Sequence, residues 1–431
     1  MRKLSVLILG AGGRGRTYAH CMGDMPDRYE IVGVGEPVEG RRRHIADTFG
    51  VPAEHVYDSW RSALAVPKFA DVCVISTMDE EHYEPALRAI ELGYDILLEK
   101  PIAQTVEQCA EIAAAANKKG VKVIVCHVLR YTSFYRTVKS VLDSGRVGQV
   151  MSVMAAEAVG HIHQSHSFVR GNWHSEEETT PMLIAKSCHD MDIIQWLIGR
   201  RCKKVSSFGQ LTYFTPDYAP EGAPVRCIDG GCPIEDTCVY NCKKLYYDDK
   251  NNMWFRRSST RGIAAGDIPT DEEVMQALQT TDYGLCVYHA NNDVVDHQVV
   301  NMEFDGGATC CFSMCAFNSG GRYIRIFGTG GELRAFDGED HLDFFPFEKR
   351  DWVQIPLMTD DTRGGNHGGG DRGIVYDLSE YLNGTYNGCS VADISISTAN
   401  HLIGFAAERA RHTDTVVDVD RFFEEYGLKN E

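Results

Sequence analysis

Apolar residues in the first 127 positions fall into short continuous runs separated by stretches with helical spacing. Leu4–Leu9, Ile31–Gly35, Asp71–Ser76, Ile96–Leu98 and Val121–Cys126 read as strands. Gly15–Met22, Glu39–Phe49, His82–Leu92 and Thr105–Lys118 read as the helices between them. Strands that do not alternate with polar residues are buried on both faces, which predicts a doubly wound parallel sheet flanked by helices. After Cys126 the pattern changes. Helices are expected at Phe134–Leu142, Ile184–Leu197, Ile374–Leu382 and Val391–Arg411, with a strand at Val150–Val159. From about 203 to 356 apolar and polar positions alternate with period two. Asp305-Gly306-Gly307 and Gly328-Thr329-Gly330-Gly331 supply hairpin turns there. The expected organisation is an α/β chain. A doubly wound parallel sheet occupies 1–127, and an α/β domain with a large, mostly antiparallel open sheet occupies 128–431. Residues about 214–282 lose the periodicity and carry proline, cysteine, charge and aromatics, so they are expected to form an insertion.

The turn after the first strand reads Gly10-Ala11-Gly12-Gly13-Arg14-Gly15, a G-x-G-x-x-G motif between a strand and a helix. Gly10 permits the tight turn, Gly12 and Gly13 let backbone approach a pyrophosphate, and Gly15 lets helix and strand pack closely. Glu36 ends the second strand about twenty residues later, where a carboxylate binds ribose hydroxyls. The spacing is that of a Rossmann dinucleotide site. Glu36 favours NAD; Arg41, Arg42 and Arg43 just beyond it leave NADP open.

Glu99-Lys100-Pro101 follows the fourth strand, Thr77 follows the third, and His82 opens the next helix. With the glycine loop, these residues resemble the Gfo/Idh/MocA family over most of the chain. The resemblance implies a Rossmann domain followed by an α/β domain whose open sheet makes dimers or tetramers. It also implies that Arg14, Thr77, His82, Glu99 and Lys100 lie against the cofactor, with Lys100 beside both the nicotinamide and a reacting hydroxyl. Independently, a lysine at the carboxyl end of a parallel strand faces the ligand crevice, where its ammonium stabilises an alkoxide or, if burial lowers its pKa, acts as a base. In Lys186-Ser187-Cys188-His189-Asp190-Met191-Asp192, His189 matches the family's catalytic histidine, upstream of Trp196-Leu197. The family often places an aspartate four residues before it; here that residue is Ala185. Lys186 is then a substrate contact, and Asp192 either orients His189 or packs.

Between Glu157 and His174 lie four histidines with Arg170, Asn172 and Trp173, a polar and aromatic mix suited to sugar rings. His163, His166, Arg170 and Trp173 are expected to contact substrate, joined by His127, Arg130 and Tyr131 from the domain junction. A metal held by His161 and His163 on one strand face is the weaker alternative, and His367 in the Gly-rich run 364–370 is a further histidine within reach of a cleft. Cys227, Cys232, Cys238 and Cys242 fall within sixteen residues of the insertion. They form either a structural zinc site or free thiols; an Fe–S cluster is a third reading.

Lys and Arg total 43 against 61 Asp and Glu, a formal charge of −18 over 431 residues, which disfavours nucleic acid as a partner. No apolar run reaches membrane-spanning length, and glycines interrupt the apolar stretch after Arg2 and Lys3 where a signal peptide would continue. Fifteen cysteines without a secretory signal fit reduced thiols in a cytoplasm. The expected function is NAD(P)-dependent hydride transfer between the nicotinamide and a secondary hydroxyl of a sugar, cyclitol or glycoside. Lys100 and His189 would be catalytic and the chain a homo-oligomer. Two alternatives stay open: a redox-neutral, NAD-dependent glycosidase acting by transient ring oxidation and elimination, and a non-catalytic dinucleotide sensor.

Overall fold

The structure, a computed structural model, describes all residues except 265, 267, 360–366 and 431. Six parallel strands form the first sheet: β1 (Leu4–Leu9), β2 (Tyr29–Gly35), β3 (Val56–Tyr57), β4 (Val72–Ile75), β5 (Asp95–Leu98) and β6 (Val123–Val125). Their order is β3-β2-β1-β4-β5-β6. This is the doubly wound arrangement anticipated from the unbroken apolar runs, with β3 added. Val56 and Tyr57 are both half-buried at the sheet edge, too short a pair to leave a hydrophobic signature. The chain reverses direction of winding between β1 and β4, and the crevice at the carboxyl ends of these strands is where such folds bind ligands.

The second sheet has nine strands: β7 (Val150–Ala158), β8 (Cys202–Gln210), β9 (His297–Phe304), β10 (Thr309–Cys315), β11 (Gly321–Gly328), β12 (Gly331–Phe336), β13 (His341–Pro346), β14 (Val353–Pro356) and β15 (Val417–Asp418). They run in the order β14-β13-β12-β11-β7-β10-β9-β8-β15, and all neighbours are antiparallel except β7 and β10. One face is closed by the helices Cys188–Ile198 and Ile394–Thr413, whose Ile194, Leu197, Leu402 and Ala406 share a core with Val205, Val300 and Phe312. The other face leaves Met154, Phe208 and Tyr323 exposed. Strand alternation also divides the cysteines of β10: Cys310 is buried and Cys311 exposed, so Cys311 is not a core residue.

Four features go beyond or depart from the sequence pattern. The helix expected over 184–197 is two helices, Met182–Ala185 and Cys188–Ile198, broken at Lys186 and Ser187. The strand β7 stops at Ala158, and His161–Gln164 is a helical turn, so His161 and His163 share no strand face and the two-histidine metal alternative loses its basis. The helix Gly370–Leu382 returns to the first sheet, where Ile374, Val375 and Leu378 complete the core formed by Leu4, Val6 and Ile8. The C-terminal sequence therefore closes one side of the first sheet. The segment between β8 and β9 runs from 211 to 296, longer than the 214–282 expected. It builds its own small core from Cys242, Tyr246, Phe255, Val274 and Leu278.

Candidate functional site

At the β1 turn, Gly10 has φ +82°, and a Cβ there would meet the Ser76 carbonyl oxygen at 2.5 Å. A Cβ on Gly15 would stand 1.9 Å from the Gly10 carbonyl oxygen, so both glycines are required by close backbone approach. Gly12 and Gly13 are different: a Cβ on either meets nothing within 4 Å. Their bareness serves no packing purpose and leaves open space at the N-terminus of the helix Gly13–Gly23, as a pyrophosphate requires. Glu36 is buried beside this turn. Its carboxylate accepts from the Ala11 N–H at 2.7 Å and the Val38 N–H at 2.9 Å, which fixes its orientation beside the turn with lone pairs to spare. Arg42 donates to the Glu36 carbonyl at 2.6 Å, and Arg43 pairs with Glu39 at 2.5 Å. These residues fit a bound NAD.

Arg14 does not stand open to a phosphate. Its guanidinium spans Glu99 at 2.6 Å and Asp371 at 2.7 Å, the latter on the returning helix Gly370–Leu382. Glu99 also accepts from the Tyr18 hydroxyl at 2.6 Å and the Lys100 N–H at 2.9 Å. Burial works against the Glu99 carboxylate, but Arg14 and Lys100 beside it hold its pKa below the ordinary value. Glu99 and Arg14 thus brace the loop that carries Lys100 from behind. Thr77 closes its own turn by donating to the Glu81 carbonyl at 2.8 Å. His82 is buried, with Nδ1 2.7 Å from the Pro101 carbonyl and Nε2 unpartnered. It anchors the residue next to Lys100.

Lys100 follows β5 at its carboxyl end. Its ammonium donates to the Ala185 carbonyl at 2.8 Å, across the domain boundary. The carbonyl is available because the helix breaks there, so backbone oxygen takes the place of the acidic side chain the resemblance leads one to expect. His189 lies in the first turn of the next helix, partly exposed, with Nδ1 buried and unpartnered. Burial, and then the charges of Lys100, Arg322 and Lys186 with the neighbouring His127, hold His189 well below the usual imidazole value. Both influences favour the neutral form of the imidazole. The His127 ring meets it edge-on at 5.9 Å and meets His401 at 5.6 Å.

Asp192 does not reach His189. It forms a two-point ion pair with Arg130 at 2.7 and 2.8 Å and accepts from Asn400 at 2.6 Å, all buried. Arg130 is therefore a structural partner at the junction, and Tyr131 is in the core of the nucleotide-binding half with its hydroxyl unpartnered. Lys186 pairs with Glu157 at 3.4 Å; Glu157 in turn meets Arg322 at 2.5 Å, and Arg322 holds Asp190 at 2.9 Å. Burial pushes the Asp190 carboxyl up to about 6 against the pull of Arg322. This four-membered network behind His189 escaped the sequence reading. Glu157 and Arg322 are paired residues of β7 and β11, 165 positions apart, and only the strand register joins them.

Burial, and then the charges of Lys186, His166 and Lys100, lower the His163 imidazole. Its ring packs edge-on against Trp254 at 5.2 Å. His166 is stacked on Phe255 at 4.2 Å with Nδ1 3.1 Å from the Tyr246 hydroxyl, inside the core of the insertion. Arg170 donates to the Leu285 and Tyr240 carbonyls at 2.7 and 2.8 Å. Trp173 donates to Asp79 at 2.7 Å, bridging the two halves. His166 and Arg170 are bonded within the insertion, His166 to the Tyr246 hydroxyl and Arg170 to the Leu285 and Tyr240 carbonyls, and Arg170 also lines an open cavity with Asn172 and His174. The side chain of His367 lies outside the described residues.

In the insertion, Cys227, Cys232 and Cys238 line a small cavity, whereas Cys242 is fully buried in the adjacent core and does not line it. The Cys242 N–H donates to the Cys227 sulfur at 3.4 Å. Among the described residues, only Glu176, Glu408 and His412 bring three metal-ligating atoms within 4.8 Å of one another. Arg411 bridges both of those carboxylates at 2.7 Å. No helix among the described residues is long and apolar enough to cross a membrane.

Residues 4–127 match the family model described as an oxidoreductase family with an NAD-binding Rossmann fold, and residues 139–356 match the C-terminal α/β domain of the same family. The putative oxidoreductase YteT of Bacillus subtilis is 25% identical over 373 residues, 81% of this chain and 82% of that protein. An inositol 2-dehydrogenase of Salmonella typhimurium is 26% identical over 203 residues, 47% of this chain and 56% of its own length. Among solved structures, an oxidoreductase domain protein from Kribbella flavida superposes with a TM-score of 0.71 at 17% identity, covering 97% of this chain and 100% of that one. A levoglucosan dehydrogenase in complex with NADH and L-sorbose gives 0.70 at 17%, covering 97% and 99%. Both family models, in order along one chain and joined to a dinucleotide cradle that fits NAD, place this protein in the Gfo/Idh/MocA family of NAD-binding oxidoreductases.

Proposed function

We propose that the protein oxidises a secondary hydroxyl of a sugar, cyclitol or glycoside, with Lys100 and His189 as the catalytic pair and NAD as the hydride carrier. The observation that carries this reading is the convergence of the Lys100 ammonium, fixed at 2.8 Å on the Ala185 carbonyl, with a neutral, partly exposed His189. Bound NAD supplies the hydride acceptor at its nicotinamide. The ammonium of Lys100 orients the hydroxyl and stabilises the oxygen as negative charge develops on it. His189 accepts the hydroxyl proton, and the positive charges of Lys186 and Arg322 nearby favour its prompt release to solvent. Lys186 and His163 border the substrate position, Trp254 packs on His163, and Gly10, Gly12, Gly13, Gly15 and Glu36 seat the dinucleotide. Glu36 favours NAD over NADP because its carboxylate repels a 2′-phosphate. The names of the inositol and levoglucosan dehydrogenases among the relatives support a polyhydroxylated substrate. The exposed Met154, Phe208 and Tyr323 on the open sheet face support a homo-oligomer joined through that face, and fifteen free thiols are in keeping with a cytoplasmic protein.

The test is one reaction screen. Purified protein is mixed with NAD or NADP and a panel of free sugars, cyclitols and aryl glycosides, and reduced nicotinamide and released aglycone are followed together. Reduced cofactor accumulating with a free polyol is the expected result. Aglycone release without net reduction would replace the dehydrogenase by a redox-neutral glycosidase. Dinucleotide binding with no turnover on any member would leave a sensor.

A further inference from the structure

The insertion contains a fifth thiol that the cysteine spacing does not reveal. Cys286 lies 44 residues beyond Cys242, on the strand of chain returning to β9. Leu285 bridges Arg226 in antiparallel fashion, and the Cys286 N–H donates to the Val225 carbonyl at 2.9 Å. These backbone bonds set Cys286 beside Cys227. Turns closed by Glu235 N–H to the Cys232 carbonyl at 3.0 Å and Cys238 N–H to the Ile234 carbonyl at 2.8 Å fold Cys232 and Cys238 back toward the same point. Cys227, Cys232, Cys238 and Cys286 together line one cavity of about 20 Å³. That is room for a single small sphere the size of a water or an ion, and too little for a cluster of several atoms.

A second observation points to negative charge in that cavity. Arg170 also lines it and is 2% exposed, so its positive charge is buried beside these thiols. Its Nε and Nη2 hold the Leu285 and Tyr240 carbonyls, next to Cys286 and between Cys238 and Cys242. A buried guanidinium is costly unless an anion faces it. A divalent ion with four thiolates carries a net charge of −2 and meets that need.

We infer that Cys227, Cys232, Cys238 and Cys286 bind one structural zinc ion, with Arg170 as its charge partner and Cys242 outside the ligand set. The Cys242 N–H to the Cys227 sulfur is the backbone donor that such a thiolate accepts. The four sulfurs stand farther apart than the ligand sphere of one ion, so zinc draws them inward to about 2.3 Å from the metal. The segment 211–252 has little regular structure and a small core, and a metal supplies folding free energy that this core does not.

The full-length protein tests this directly. Metal analysis of the purified chain should give about one zinc per chain, retained in Cys242→Ser and lost in Cys286→Ser. Cobalt substitution should give the charge-transfer absorption of a thiolate-bound tetrahedral ion in the wild type and in Cys242→Ser. The wild type also carries a test that does not depend on a variant folding. Alkylation mapped by mass spectrometry should find Cys227, Cys232, Cys238 and Cys286 protected together until the ion is removed by a chelator. A metal-free protein, a zinc lost in Cys242→Ser and kept in Cys286→Ser, or pairwise disulfides among these cysteines would each overturn the assignment.

Discussion

Asp192→Asn removes one charge from a fully buried cluster three residues past His189. In the native protein Asp192 receives both Arg130 contacts, at 2.7 and 2.8 Å, and the Asn400 amide at 2.6 Å. Arg130 is 2% exposed, so the substitution leaves a buried guanidinium without its counter-ion. Breaking a buried pair from one side costs about 3–5 kcal/mol. At roughly 2–4 °C per kcal/mol for a domain of this size, the melting temperature should fall by roughly 6–20 °C. Burial raises the Asp192 carboxyl, but the Arg130 guanidinium and the other donors outweigh it and hold the group below the ordinary aspartate value. The stabilisation is then complete above about pH 4 and is lost as pH falls through the lowered native pKa, so wild type and variant should converge in acid. Thermal unfolding by circular dichroism at a series of pH values measures this. The double change Arg130→Met with Asp192→Leu should recover much of the loss, because it leaves no unpaired charge. A variant melting with the wild type at pH 7 would refute the reasoning. An unchanged melting temperature with a shifted pH–rate profile would return Asp192 to the role of orienting a catalytic base.

The glycine loop separates folding from binding. Gly12→Ala should melt like the wild type and lose roughly tenfold or more in NAD affinity, since its Cβ meets no protein atom, whereas Gly15→Ala should be destabilised by its clash with the Gly10 carbonyl; calorimetric titration and melting curves distinguish them, and equal effects would contradict the cradle. Glu36→Ala should weaken NAD by roughly tenfold, about 1.4 kcal/mol, while sparing NADP, and an unchanged preference in dinucleotide titrations would remove Glu36 from the ribose site. With Asp190 pushed up to about 6 and His189 held well below its usual value, kcat/KM should fall below about pH 6 through loss of the Asp190 charge that holds Arg322. That limb should vanish in Asp190→Asn; its persistence would assign it to another group.

What the sequence revealed follows from the range of the signal. Unbroken apolar runs such as Leu4–Leu9 announce a strand buried on both faces, and the glycine spacing announces the turn beside it, because both are local. Lys100 and His189 could be singled out from the sequence because each sits at an element end, Lys100 after β5 and His189 in the first turn of its helix. The helix break at Lys186 was not legible: the segment keeps helical hydrophobic spacing, and the break is set by tertiary contacts of Lys100 with Ala185 and of Lys186 with Glu157. Arg322, Asp371 and Cys286 were missed for one reason. Each meets its partner across more than 40 residues, through strand register or a returning helix, and no spacing rule connects them. The histidine-rich stretch has a composition that suits a sugar site, and what its spacing does not show is that His166 and Arg170 also bond Tyr246, Leu285 and Tyr240 of the insertion.

Lys100→Met bears most directly on the central claim, that the Lys100 ammonium performs chemistry at a crevice built to hold NAD. The side chain keeps its length and loses its charge, which leaves the part-buried bond to the Ala185 carbonyl unmade and removes one of the two cations beside Glu99. NAD affinity by titration and turnover on the best substrate of the screen are measured on the same preparation. The account predicts that NAD binding is retained while turnover drops by roughly 100-fold or more. Turnover that survives the substitution would contradict it.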